Sequence, residues 1–235
     1  MAERDLSLIS RAEDTVEQRP INAPVKFSLL EIKQHFDETL SSVKDQSLIA
    51  DALIQEGKIE EGKTVWRSQI VFLEGLLDFY IHEISKYALY QMFCGEWTKS
   101  EQYHSFKVSM DQLETAVASP ESKTWFFNFL NGSFAKKVFL GAEEMKDQLN
   151  LIGVGFSNVM HRAFRKATIN DSHKYGFQIV KTYYERRNKI AHQNDRDHAT
   201  AVQNDITREY VEQFSHNIEL IVTAIHSIAN EFDNS

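Results

Sequence analysis

The sequence predicts an all-α fold, and three observations carry that prediction. Only three prolines (Pro20, Pro24, Pro120) and nine glycines interrupt 235 residues. No stretch alternates apolar and polar side chains at period two with β-branched residues, as a half-buried strand requires. Apolar residues instead recur at three- and four-residue steps over long segments, the repeat of a helix face.

The elements follow in order. Residues 1–25 read as a polar arm ending in the Pro20–Pro24 segment, and residues 26–235 as a single helical domain, because no linker-like stretch divides the middle. Phe27, Leu30, Ile32, Phe36, Leu40 and Val43 predict a helix over about 27–44, and Leu48 to Ile54 a short second one stopped at Gly57. From Thr64 to about Phe93 apolar side chains cover most of the circumference, so that helix is expected at the centre. Within it Glu74, Asp78 and His82 stand four apart on one face. Such a face either finds partners, for which Arg186 or Arg187 is a candidate, or meets solvent.

In the middle region Ser109 is placed to cap a helix reaching Ala118. Ser119-Pro120-Glu121 reads as the start of another, and Gly132-Ser133 as a break and a fresh start. The aromatics between Trp125 and Leu140 fit a core better than a base-stacking surface. Gly153 and Gly155 lack the strand and third glycine of a dinucleotide fingerprint and read as loop. Asp171 or Ser172 is expected to cap a helix carrying Tyr175, Phe177, Val180, Tyr183 and Ile190. A polar loop, Gln193 to Asn204, follows it. The last helix, about 207–232, sets Val211, Phe214, Ile218, Ile221, Ile225 and Ile228 in a narrow seam suited to packing along another helix. The natural product is a helical bundle with additional helices in its middle region.

Composition limits the function classes. Hydrophobic residues at 42% and aromatics at 11% provide for a sizeable core. No apolar run approaches the ~18–20 residues of a membrane span. The stretch Met1 to Arg11 has no hydrophobic signal core, so a cytoplasmic address is expected. The lone Cys94 has no intramolecular partner and reads as a small packed hydrophobe. A net charge of -8 argues against a general affinity for nucleic acid. Its distribution is uneven, however: from His161 to His192 eight basic residues face only Asp171 and Glu185. This basic stripe fits RNA, and it equally fits a solvated helix face paired to acidic neighbours.

The run Arg186-Arg187-Asn188-Lys189-Ile190-Ala191-His192 is the most informative motif. Arginine offers a planar, permanently charged fork of donors that suits phosphate, and histidine moves protons near neutrality. Together they suit phosphodiester cleavage. Asn188 and His192 lie one turn apart on a helix face, whereas Arg187 sits about 140° around from the histidine. An exposed helix-end histidine without chemistry is the plain alternative. His192, Asp195, Asp197 and His198 supply oxygen and nitrogen in a polar loop, but no helix-borne ligand spacing accompanies them. No metal or cofactor is expected. No Ser-His-Asp or Cys-His arrangement is signalled either.

Arg187-Asn188-x-x-x-His192 resembles the R-x4-6-H signature of the HEPN superfamily, in which a polar residue commonly follows the arginine and the motif ends the penultimate long helix. The apolar helix around Arg67 to Tyr87 resembles the leading core helix of that fold. The stretch Arg186 to Arg196 with the closing helix is similar to the RiboL-PSP-like HEPN branch. The resemblance spans about residues 45–232.

It implies an up-and-down HEPN-like bundle acting as a metal-independent endoribonuclease on single-stranded RNA or tRNA. Two copies would form a homodimer with a composite active site. In the roles implied, His192 transfers protons, Arg187 stabilises charge on the phosphoryl group and Asn188 orients phosphate or histidine. Arg186, Lys189 and Arg196 would bind substrate, with Glu74 and Asp78 as supporting acids. The products would be 2′,3′-cyclic phosphate and 5′-hydroxyl ends. Such proteins act as toxins or antiviral-defence effectors, often restrained by an antitoxin or regulatory partner. Many carry a tyrosine two positions after the histidine as the target of an adenylylating antitoxin; Asn194 stands there in this chain and argues against that mode. The alternative is a catalytically silent HEPN-like module for dimerisation, RNA or nucleotide binding, or partner docking.

Overall fold

The computed structural model describes residues 25–234, so the expected polar arm lies outside the described residues except for Val25. Those residues form eight α-helices and one 3-10 turn, and no strand is present among them. The order is α1 (Leu29–Gln55), α2 (Ile59–Cys94), the 3-10 turn (Gln102–Ser105), α3 (Met110–Ala118), α4 (Thr124–Phe134), α5 (Ala142–Leu151), α6 (Phe156–Phe164), α7 (Ile169–Gln193) and α8 (Arg208–Asp233).

α1 begins with a reciprocal cap: Glu31 N–H donates to Ser28 Oγ at 3.3 Å, and Ser28 N–H donates to Glu31 Oε2 at 2.7 Å. The helix runs unbroken to Gln55, where two were expected. Asp45, Gln46 and Ser47 interrupt the apolar pattern but contain no glycine or proline, so the backbone has no reason to stop there. The stop comes at Gly57, at φ +80°, where Lys58 N–H reaches Leu53 O and Gly57 N–H reaches Ile54 O.

α2 is the centre of the bundle. Its Ile70, Tyr80, Ile81, Ile84, Ala88 and Leu89 are fully buried, and α1, α4, α7 and α8 all pack against it. Close approach to α1 depends on Gly62: a Cβ there would lie 2.5 Å from Ile54 Cγ1 and 2.9 Å from the Ala50 carbonyl oxygen. α8 buries Val211, Phe214, Ile218, Ile221, Ile225 and Ile228, the seam the spacing predicted.

The middle differs in detail. Ser119 and Pro120 form a turn, with Ser122 N–H on Ser119 O, and α4 starts at Thr124. Gly132 lies inside α4, because Leu130 and Phe134 on either side are buried and hold the helix through it. Phe126, Phe127, Phe139 and Leu140 are core, whereas Val138 is exposed. Gly153 and Gly155, both at positive φ, turn the chain between α5 and α6. α7 begins earlier than expected: Thr168 Oγ1 accepts from Asp171 N–H at 3.0 Å, and Ser172 is buried with His161 Nδ1 at 3.0 Å from its hydroxyl.

Candidate functional site

α7 delivers the motif in its last two turns and ends at Gln193, with Asn194 and Asp195 both in the left-handed region at φ +49° and +59°. The double left-handed turn sends Asp195 inward, where it is fully buried. Two arginines meet it: Arg186 Nη2 donates to Oδ2 at 2.7 Å and Arg67 Nε to the same oxygen at 3.2 Å. Asn204 Nδ2 donates to Oδ1 at 3.2 Å. Arg67 and Arg186 also hold the carbonyls of Asn204 and Asp205, at 2.9 and 2.8 Å. The loop is stapled again by Arg196 Nη1 on Ala201 O at 2.7 Å, and by Asp197 accepting from Ala199 and Thr200 N–H. A buried acid shared by two arginines is well compensated, and it ties the end of α7 to α2 and to the approach of α8.

The paired arginines therefore diverge. Arg186 is committed to Asp195, while Arg187 turns to the interior face of α7 beside Glu74 of α2. Arg187 Nη1 donates to Asn188 Oδ1 at 3.0 Å, and its Nε is buried with no hydrogen-bond partner. Glu74 is also buried, and its Oε2 has no partner. Burial pushes the Glu74 carboxyl up to about 8, against the pull of the Arg187 charge, with Asp78 adding to the rise. Asp78 is engaged elsewhere, its Oδ1 accepting from Phe139 N–H at 2.8 Å, and His82 Nε2 lies 3.1 Å from Lys137 O.

The His192 side chain is exposed in the last turn of α7 and makes no hydrogen bond among the described residues, and the Lys189 side chain, one turn earlier, makes none either. On the flank bearing Arg186 and Lys189 a cavity of about 480 Å³ opens, bounded by Thr182, Thr207 and Tyr210. The basic stripe is partly neutralised: Arg162 pairs with Glu231 at 2.5 Å and Arg186 with Asp195, while Lys166 stands 3.9 Å over the Tyr175 ring. His192, Asp195, Asp197 and His198 do not converge, and no group of three or more metal-binding side chains occurs among the described residues.

The Arg67–Asp195 bond and the charge interaction of Arg187 with Glu74 set α2 and α7 antiparallel. At about 100° per residue, Gly75 and Phe79 lie about 100° and 140° forward of Glu74, and Asn188 and His192 lie the same angles forward of Arg187. Two right-handed helices facing each other antiparallel turn forward to the same side. Asn188 and His192 therefore share a face with Gly75, Phe79 and Phe72. That face is apolar and open, with Phe72 52% and Phe79 42% exposed.

The clamp was not foreseen from sequence. Its only local signal is a buried-type arginine, Arg67, in an apolar helix, and its acid lies 128 residues away.

The family model described as RiboL-PSP-HEPN matches residues 28–231. The chain belongs to the RiboL-PSP-HEPN family. Neither comparison with curated proteins nor comparison with solved structures gave a match. The all-α architecture agrees with membership of the RiboL-PSP-HEPN family, and no helix among the described residues is long and apolar enough to cross a membrane.

Proposed function

We propose that this RiboL-PSP-HEPN chain is a metal-independent endoribonuclease cutting single-stranded RNA or tRNA in the cytoplasm. The reading rests on the division of work between adjacent arginines. Arg186 is consumed by the Asp195 clamp, which leaves Arg187 beside a largely neutral Glu74 on the same helix end as an unpartnered, exposed His192. A guanidinium whose neighbouring acid is neutral keeps its charge for a phosphate.

In the reaction His192 removes the 2′-hydroxyl proton, the 2′-oxygen bonds to phosphorus, and the 5′-oxygen leaves with a proton from a second acid. The ends are 2′,3′-cyclic phosphate and 5′-hydroxyl. Arg187 stabilises charge on the phosphoryl oxygens and Asn188 positions them, while Lys189 supplies further phosphate contact. Arg187 and His192 point about 140° apart on one helix, so a single copy does not converge them. A second copy packed on the shared Phe72, Phe79 and His192 face brings two motifs together and supplies the second acid. The single domain of residues 26–235 would thus work as a homodimer, as a toxin or antiviral-defence effector restrained by an antitoxin or regulatory partner.

The half-buried Arg187, already bonded to Asn188, favours the second reading, a silent dimerising or RNA-binding module. Labelled RNA incubated with wild type, Arg187→Ala and His192→Ala in EDTA separates the two. Cyclic-phosphate products lost in both variants support the nuclease. Binding without cutting by wild type identifies the silent module.

A further inference from the structure

We propose that the cavity between the end of α7 and the start of α8 seats a guanine base of the RNA strand, with Glu185 as the residue that selects it. The inference rests on the nuclease reading for the identity of the strand, and adds the base that is read near the cut. The cavity measures about 480 Å³, within the range of small-molecule sites. Glu185 and Lys189 line it, and both side chains are exposed, as is that of His192. The three lie within about 60° of one another on the outer side of α7, with Glu185 about 10 Å along the axis from His192. That separation covers about two or three stacked nucleotides at ~3.4 Å each.

Other charged groups in the lining are already engaged. Arg186 is held by Asp195 and by the Asp205 carbonyl, and the Asp205 carboxylate by Lys63 at 2.7 Å. Lys189 and the Tyr210 hydroxyl make no side-chain hydrogen bond among the described residues. Among the same residues Glu185 is paired with Lys181 alone, at 4.0 Å and with both side chains more than half exposed, a pair that yields readily to a ligand. One carboxylate, one ammonium and one phenol are thus left for a ligand, with Ile206 in the apolar part of the wall.

That set discriminates between bases. A carboxylate only accepts hydrogen bonds, through two oxygens side by side. Guanine alone offers two neighbouring donors on its pairing edge, the ring N1–H and the exocyclic amine. Adenine and cytosine set an acceptor nitrogen beside their amine, and uracil flanks its N–H with two carbonyls, so each brings a lone pair against Glu185. Lys189, one turn nearer His192, takes an adjoining phosphate.

The test uses the full chain in EDTA and short labelled oligouridine strands carrying one central guanosine, adenosine or cytidine. Cleavage is read on wild type, and affinity by anisotropy on His192→Ala, with and without Glu185→Gln. The guanosine strand should bind about tenfold more tightly than the others and be cut about tenfold faster, the scale of one bidentate base contact. Glu185→Gln offers one donor and one acceptor in place of two acceptors. It should remove most of that tenfold preference while the melting temperature stays nearly unchanged, because the side chain is exposed. Lys189→Ala should weaken all three strands alike, as loss of a phosphate contact does. Equal affinity for the three strands, binding of none, or a guanosine preference that survives Glu185→Gln overturns the proposal. A guanosine preference in binding without cleavage by wild type leaves the base site standing and removes the nuclease reading instead.

Discussion

Arg187 of α7 acts on the buried Glu74 of α2 through its charge and not through a hydrogen bond or ion pair, and each has a buried polar atom unpaired. An arginine beside a carboxyl ordinarily forms a bidentate pair. Here the carboxyl is so desolvated that it stays largely protonated at neutral pH.

Stability should fall with rising pH because of Glu74. The folded value of Glu74, about 8, lies above the ordinary 4.5. Folding therefore gains from the protonated form at low pH, and the gain is lost as pH rises through about 8. Wild type should lose roughly 3–5 kcal/mol of stability from this group between acid and alkaline pH, at about 1.4 kcal/mol per unit. Urea unfolding across pH 5–9 should show that decline, and Glu74→Gln should flatten it. An identical pH profile in the variant would falsify the assignment.

Catalysis and stability should separate between the two arginines. Arg187→Ala and His192→Ala are expected to lower RNA cleavage by about a hundredfold or more, the scale of one transition-state group. His192→Ala should leave the melting temperature nearly unchanged, since the imidazole is exposed and unbonded. Cleavage and thermal melting on the same preparations check both.

Asp195→Ala should act the other way. It strands Arg67, whose side chain is 6% exposed, and frees the loop between α7 and α8. A loss of about 3–5 kcal/mol is expected from leaving a buried charge unpaired. Asp195→Asn, which keeps an acceptor oxygen, should cost less. Equal stability of wild type and the alanine variant in urea unfolding would remove the clamp from the account.

Phe79→Glu, with or without Phe72→Glu, should shift a dimer to monomer in sedimentation velocity and abolish cleavage together with it. Both side chains are exposed in one copy, so the folded monomer should survive. Monomeric wild type at working concentration, still cutting RNA, would end the composite-site reading.

Much of this was legible in the chain because it is local. The α8 seam, the C-terminal end of α2 and the placement of Arg187 and His192 at the end of α7 follow from spacing within a few turns, whereas α2 starts at Ile59, five residues before the expected Thr64. What was not legible depends on contacts across the bundle. Arg186 read as a phosphate ligand, and the sequence does not show that it also bonds Asp195 or that Arg196 Nη1 also bonds Ala201 O. Nothing near Asp195 in sequence announces burial; only the left-handed pair Asn194–Asp195 directs it inward, and that conformation is set by the whole loop. The same limit explains α1, where a polar triplet looked like a boundary because burial on its other turns was not yet visible.

Gly62 places a missing methyl at the foot of a rod that serves three surfaces. α2 presents Arg67 to the loop after α7, Gln69 to α1, and Phe72 and Phe79 to the open face. The Ala50 carbonyl opposite Gly62 is helix backbone and cannot swing aside as the Ile54 side chain can. Any side chain at this position therefore has to push the start of α2 away from the end of α1. The bare Cα of Gly62 is what lets the two helices touch backbone to backbone there.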